Sequence, residues 1–154
     1  GYSALLVGLM REALRLTLHH LKERRQFGVP IGSFQAIRHR CASMYVGVAA
    51  TRALLFEACE AAGSARQALA AAAAKAKAAE VALKLVEECV QFHGATGFSD
   101  AHDIGLFFRR AMALVRAGGD APTCRRFFGR DAAQGARPAG ASKAAAIGGD
   151  AKIA

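Results

Sequence analysis

Apolar residues return at spacings of three and four along the first stretch of the chain: Leu5, Leu6, Leu9, Met10, Ala13, Leu14, Leu16, Leu18 and Leu21. That rhythm predicts an amphipathic helix over Ser3 to Leu21, with Arg11, Arg15 and Lys22 off the apolar stripe. Gly28, Pro30 and Gly32 then break the pattern, so residues 24–32 read as a loop. Ser33 is a good N-cap for a second helix reaching about Ala62. Its inward stripe is expected to be Ile37, Cys41, Met44, Tyr45, Val48, Leu55, Phe56 and Cys59. Gly63 ends that helix and Ser64 opens the next.

The third predicted helix, Ala65 to Gln91, is dense in alanine, the strongest helix former. Leu69, Ala72, Ala76, Leu83, Val86 and Val90 mark its inner face, while Lys75, Lys77, Glu80, Lys84 and Glu87 are expected on the solvent side. A loop over 93–100 follows, then a fourth helix from Asp103 to Ala117, a break at Gly118–Pro122 and a short helix from Thr123 to Arg130. From Ala132 the chain holds Gly, Ala, Ser, Pro and Lys with almost no large apolar residue, and reads as disordered. No clear strand is visible. The pattern predicts an all-α, up-down four-helix bundle over residues 1–131, with a disordered tail over 132–154. Leu9, Leu14, Ile37, Met44, Phe56 and Leu83 are expected to supply much of the stability, at roughly 1.5–3 kcal/mol each.

Charge narrows the partners. A formal net charge of +9 and a pI near 10.0 favour anions such as phosphates, nucleotides or acidic surfaces. With no Trp and two Tyr, a stacking platform for single strands is a poor expectation. Cys41, Cys59, Cys89 and Cys124 show no CxxC spacing, which favours reduced thiols over a disulfide frame or a zinc site and suits the cytoplasm. No apolar run reaches the roughly eighteen residues of a membrane span, and no secretory signal is visible. The helical pattern already runs at Ser3 with no initiator Met, so the chain is expected to be a piece of a longer one.

Two stretches carry candidate chemistry. Arg24-Arg25-Gln26-Phe27-Gly28, followed by Ser33-Phe34-Gln35, sets two guanidinium groups beside a Gly/Pro loop, an arrangement suited to forked hydrogen bonds with phosphate. The alternative is a solvated basic loop at a helix C-terminus. Gln91-Phe92-His93-Gly94-Ala95-Thr96-Gly97-Phe98 combines a helix end with glycines that let backbone approach a ligand, or is simply a cap and turn. His19, His20 and His39 read as surface residues. His102-Asp103 is either a catalytic pair or, more simply, a helix start with an acidic first turn.

Taken together, RRQFGVPIGSFQ at 24–35, QFHGATGF at 91–98 and FFRRA at 107–111 resemble the acyl-CoA dehydrogenase family. The resemblance covers Ala4 to roughly Arg130 and matches only the C-terminal four-helix domain of a three-domain enzyme. It implies oxidation of an acyl-CoA thioester to its trans-2-enoyl form. A carboxylate takes the α proton and the β hydrogen leaves as hydride to FAD. It implies flavin contacts across a subunit interface from Arg24, Arg25, Gln26, Phe34 and Gln35, and from Gln91, Phe92, His93, Gly94 and Ala95. Ala95 stands where the family has a second glycine. The implied partners are the acyl-CoA substrate, an electron-transfer acceptor protein, and either identical subunits (a dimer or tetramer) or a related subunit in a heteromer. The basic charge fits the pyrophosphates of FAD and CoA.

One departure stands out. The family's base lies in a Tyr-Glu-Gly-Thr stretch that corresponds to Ala117-Gly118-Gly119-Asp120, so Gly118 occupies the base position. Asp120 is expected to contact the flavin or to cap the last helix, not to act as the base. The base then lies on an earlier helix before Gly1, or on a partner subunit, or the chain is not a dehydrogenase. A flavin monooxygenase sharing these loops is a related alternative. Two others come from different classes: a basic helical module binding nucleic acid, and a purely structural oligomerisation bundle. The nucleic-acid module needs Lys and Arg gathered on one face, and here they are spread.

Overall fold

The alanine-rich third helix turns out to be the axis of the molecule. In the computed structural model, which describes residues 1–98 and 103–135, α1 spans Tyr2–Glu23, α2 Gln35–Glu60, α3 Gln67–His93, α4 Asp103–Arg116 and α5 Ala121–Gly135. α3 packs against each of the other four helices. Ala70, Ala74, Ala76, Ala78, Ala79 and Ala82 are all buried along it. Side chains this small let several helices close on one axis without leaving gaps.

The core condenses where α1, α3 and α4 meet. Leu6, Met10, Leu21, Leu85, Val86 and Ile104 are wholly or almost wholly buried there. Thr17 is also fully buried, and its hydroxyl donates to the Ala13 carbonyl at 2.8 Å, so no polar atom is left unmatched. Leu9, Leu14 and Met44 are buried as the pattern predicts.

α2 is more peripheral than expected. Its buried residues are Met44, Val48 and Thr51, flanked by half-buried Ile37, Cys41 and Leu55. These fall on one narrow stripe at spacings of three and four. Tyr45 and Phe56 lie outside that stripe, and Cys59 continues it only in the last turn of α2, so these three expectations are corrected: all are exposed, Phe56 at 53%. The Arg52 guanidinium lies 5.2 Å from the Phe56 ring centroid and covers part of it. Gly47 sets the approach of α2 to α3, because a Cβ there would stand 2.9 Å from Val81 Cγ1. On α3, Leu83 is half-buried, whereas Lys75, expected in solvent, is buried.

The connections differ in detail from the sequence pattern. The α1–α2 loop closes a minimal antiparallel pair, β1 (Arg25–Gln26) with β2 (Val29–Pro30). Phe27 (φ 53°) and Gly28 (φ 80°) form its turn, the two positive φ values that a tight hairpin of this hand requires. A 3₁₀ turn at Ile31–Ser33 follows, so Phe34 rather than Ser33 holds the N-cap position of α2. The Ser33 hydroxyl donates to the Pro30 carbonyl at 2.6 Å instead. α5 begins earlier than predicted, with Pro122 in its first turn where the missing N–H costs nothing, and continues through Gly135. The rest of the tail and His102 lie outside the described residues. Among the described residues, no helix is long and apolar enough to cross a membrane, and Cys41, Cys59, Cys89 and Cys124 are free thiols.

Candidate functional site

The two motifs singled out in the sequence meet at one end of the bundle. His20 in the last turn of α1 stacks on His93 in the last turn of α3, with ring centroids 4.3 Å apart and planes 24° from parallel. Beneath the stack, His93 Nδ1 donates to the Cys89 carbonyl at 2.8 Å. Burial pushes the neighbouring Cys89 thiol up to about 12, which keeps it protonated and inert. From α2, the Arg40 guanidinium lies 4.4 Å from the Phe92 ring centroid and pairs with Glu88, its Nε donating to Oε2 at 2.7 Å. Phe92 and His93 are therefore buried parts of the floor.

The remaining residues stand on that floor. Arg24, Arg25, Gln26, Phe34 and Gln35 are exposed on the hairpin side, and Gln91, Gly94 and Ala95 are exposed on the α3 side. The hairpin is held by Ile31 N–H donating to the Arg24 carbonyl at 2.8 Å. Gly32 passes so near α1 that a Cβ would stand 2.9 Å from the Leu21 carbonyl oxygen. Phe27 is 92% exposed and meets Phe34 edge to face at 6.3 Å. On the other side, Gly94 has φ 61° and ψ −140°, and an added Cβ would meet nothing within 4 Å. The backbone conformation, not crowding, requires glycine there, and the peptide stays open to a ligand. Gly97 is the reverse case, where a Cβ would sit 2.7 Å from the Val90 carbonyl oxygen.

Asp120 is not brought to this end. It lies on the α4–α5 turn, tied to α3 at Lys75, and at about 1.5 Å per residue Lys75 is roughly 27 Å along the helix from His93. There its Oδ1 accepts from the Thr123 N–H at 2.9 Å, capping α5. The Thr123 hydrogen bonds hold its carboxyl below the usual aspartate value. In the same turn Gly118 has φ 71° and Gly119 φ 102°, and a Cβ on Gly118 would stand 2.7 Å from Tyr2 Cδ2. A cavity of about 430 Å³ runs beside the turn, lined by Tyr2, Lys75, Gly118, Gly119, Cys124 and Phe127 among others. Tyr2 and Lys75 are the site residues that sequence reasoning missed. For Lys75 a signal existed: it sits three, four and seven positions before Ala78, Ala79 and Ala82, the spacing of one helical face.

A helical bundle with a basic hairpin and a glycine turn at one end, and a glycine-built α4–α5 turn at the other, defines a recognisable class of domain. The family model described as acyl-CoA dehydrogenase, C-terminal domain, matches residues 1–132, and the chain belongs to that family. It is 41% identical over 105 residues to acyl-CoA dehydrogenase IpdE2 of Mycobacterium tuberculosis, a match that covers 68% of this chain and 32% of that protein. With glutaryl-CoA dehydrogenase of Desulfococcus multivorans it shares 34% identity over 127 residues, covering 81% of this chain and 33% of the relative. The ChsE4–ChsE5 complex from Mycobacterium tuberculosis superposes with a TM-score of 0.83 at 30% identity, over 90% of this chain and 37% of that one. The chain thus spans about a third of the length of the relatives it matches.

Proposed function

We propose that this chain is the C-terminal helical part of an FAD-dependent acyl-CoA dehydrogenase. Such an enzyme removes an α proton and a β hydride from an acyl-CoA thioester to leave the trans-2-enoyl thioester. One observation carries the reading: the His20–His93 stack holds both recognition loops at one end of the bundle, with guanidinium groups, side-chain amides and open backbone exposed. This donor set fits the phosphates of a dinucleotide. Arg24 and Arg25 offer planar forks, Gln26, Gln35 and Gln91 offer amides, and Gly94 leaves room for close backbone approach. Bound FAD would supply the hydride acceptor. The residues here orient it and form only one edge of its site, so the isolated chain is expected to bind FAD weakly and to be inactive.

Among the described residues, the α4–α5 turn offers no proton acceptor. Gly118 has no side chain, the Tyr2 ring fills the space one would enter, and Asp120 is engaged at the α5 cap. The base then comes from an earlier helix or from a related subunit. The glycine turn, together with the likeness to the two-component ChsE4–ChsE5 complex, favours the second source, with this chain in a base-lacking subunit. Four free thiols suit a cytoplasmic setting, with an electron-transfer acceptor protein as redox partner.

Purification of the complete protein together with the subunit that supplies its base tests the reading. The expected result is a yellow protein whose flavin band bleaches on addition of an acyl-CoA, with the enoyl-CoA as product. Arg24→Ala or Gln91→Ala should loosen FAD and weaken subunit association together. A colourless protein that leaves acyl-CoA unchanged and retards nucleic acid in a salt-dependent gel shift would favour the basic-module alternative. Submicromolar FAD binding by the isolated chain would contradict the one-edge argument.

A further inference from the structure

Lys75 is a buried cation that makes no ion pair among the described residues, although the Asp120 charge acts on it from the neighbouring turn. Its side chain belongs to a residue only 6% exposed, and among the described residues no carboxylate lies within ion-pairing distance. Its ammonium donates instead to two carbonyls, Val115 O and Gly119 O, both at 2.9 Å. Both bonds answer a need of the fold. α4 ends at Arg116, so the Val115 carbonyl lacks an intrahelical donor. The amide that would have continued the ladder, Gly119 N–H, turns to the Arg116 carbonyl at 3.3 Å. A cation at a helix C-terminus also meets the negative end of the helix dipole. One side chain from α3 thus spans the end of α4 and the turn beyond it. Cys124 adds a weak S–H contact to the same Gly119 carbonyl at 3.7 Å.

Burial lowers the Lys75 pKa, so the molecule holds this ammonium at a cost. A methionine of similar length would fill the space without that cost and would leave both carbonyls without their donor. What the charge secures is the placement of the turn. Glycines at φ 71° and 102° have no side chains to pack, so the turn depends on its backbone partners for position.

We propose that Lys75 is a positioning residue of the acyl site, setting the place of the Ala117–Asp120 turn, which corresponds to the stretch where the family carries its base. This rests on the function proposed above. The test uses the complete flavoprotein with Lys75→Met and Lys75→Arg, following hydrogen exchange at the Gly119 amide, the visible flavin spectrum, and kcat against KM for an acyl-CoA. In Lys75→Met, exchange at Gly119 should accelerate about tenfold or more. The flavin band should shift with occupancy retained, and kcat should fall more than KM rises. Lys75→Arg, which keeps a charged donor, should recover part of each change. Faster exchange with an unmoved flavin spectrum and unchanged kcat would make the anchor purely structural and overturn the proposal, leaving the family function standing. Unchanged exchange would overturn it as well. A wild-type protein without flavin would sink both. Where Lys75→Met does not fold, Lys75→Gln, an uncharged donor on a shorter stem, is read by the same criteria.

Discussion

The two ends of α3 treat polarity in opposite ways. At the His93 end, aromatic rings form a buried floor and the polar side chains of Arg24, Arg25, Gln26, Gln35 and Gln91 stand exposed above it. At the Lys75 end, the charge is inside and a glycine backbone forms the outer surface. In the first arrangement, the groups that stabilise the fold and the groups available to a ligand are different residues. In the second they overlap, because one of the two carbonyls that Lys75 holds, that of Gly119, belongs to the turn itself and the other, that of Val115, ends the helix leading into it. Substitutions should therefore separate stability from binding at one end and not at the other.

Putting the same small change into both glycine turns sharpens that contrast most. Gly118→Ala meets two penalties: a positive φ costs about 1–2 kcal/mol for an L-residue, and a Cβ 2.7 Å from the Tyr2 ring adds about 1–3 kcal/mol of overpacking. Gly94→Ala meets the conformational penalty alone, about 1–3 kcal/mol, because its surroundings are open. Denaturant unfolding of the two variants should place Gly118→Ala as the more damaged. Tyr2→Ala in the same chain should restore the overpacking part and none of the φ part. Equal losses at the two sites would mean that the Tyr2 contact yields freely and the turn is not crowded.

The next contrast lies within the His93 end. His93→Ala removes the hydrogen bond to Cys89 and the partner of His20, and should cost about 2 kcal/mol of stability. Two positions earlier, exposed Gln91→Ala should stay within about 0.5 kcal/mol of wild type. Only in the complete flavoprotein should Gln91→Ala show a loss, as weaker FAD retention. Should Gln91→Ala unfold the chain as readily as His93→Ala, floor and surface would not be separable.

This division explains what the sequence could and could not tell. Residues 24–35 and 91–98 stand out because glycines and a proline interrupt strong helical periodicity, and the side chains between them are chemically distinctive. The all-helical bundle follows from the stripes in α1 and α3 for the same reason. The α2 stripe was legible only in part: periodicity identifies a face but not its width. Tyr45 and Phe56 lie just off the narrow stripe by which α2 packs, chiefly against α3 and α1. Lys75 was misplaced because a lysine in a helix ordinarily marks the wet face, and its two carbonyl partners lie 40 and 44 residues away. The Tyr2–Gly118 contact is equally non-local, so no pattern within either segment could announce it.

A titration sharpens the Lys75 end further. Burial holds the folded-state pKa of Lys75 below the ordinary lysine value of 10.5. Below the folded value both states carry the proton, and the native state bears the full cost of a buried charge. As pH rises from there to 10.5 the unfolded chain binds more protons than the native one, so this group's contribution to stability improves. Measured as a difference from Lys75→Met, wild-type stability should climb across that window. A flat difference would mean that the ammonium is hydrated well enough to feel no burial.

The smallest effect is expected at Asp120. Its folded-state pKa lies below the ordinary 3.8, chiefly through the Thr123 hydrogen bonds, with a contribution from Arg126. A lowered carboxyl pKa contributes stability above 3.8 that is lost as pH falls through the folded value. Asp120→Asn keeps an oxygen for the Thr123 N–H, and Asn is as good an N-cap as Asp, so only the charge is removed. Wild type and Asp120→Asn should differ slightly at neutral pH and low salt, and converge in acid. The same variant tests chemistry in the complete enzyme. A carboxylate already bound to the α5 cap, two residues beyond the family base position, is poorly placed to take an α proton, because proton transfer requires hydrogen-bond reach. Stopped-flow reduction of the bound flavin by acyl-CoA should therefore proceed at nearly the wild-type rate in Asp120→Asn. A fall on the order of ten-thousandfold, the full range of a general base, with flavin still bound, would make Asp120 that base and remove the need for a proton acceptor outside this chain.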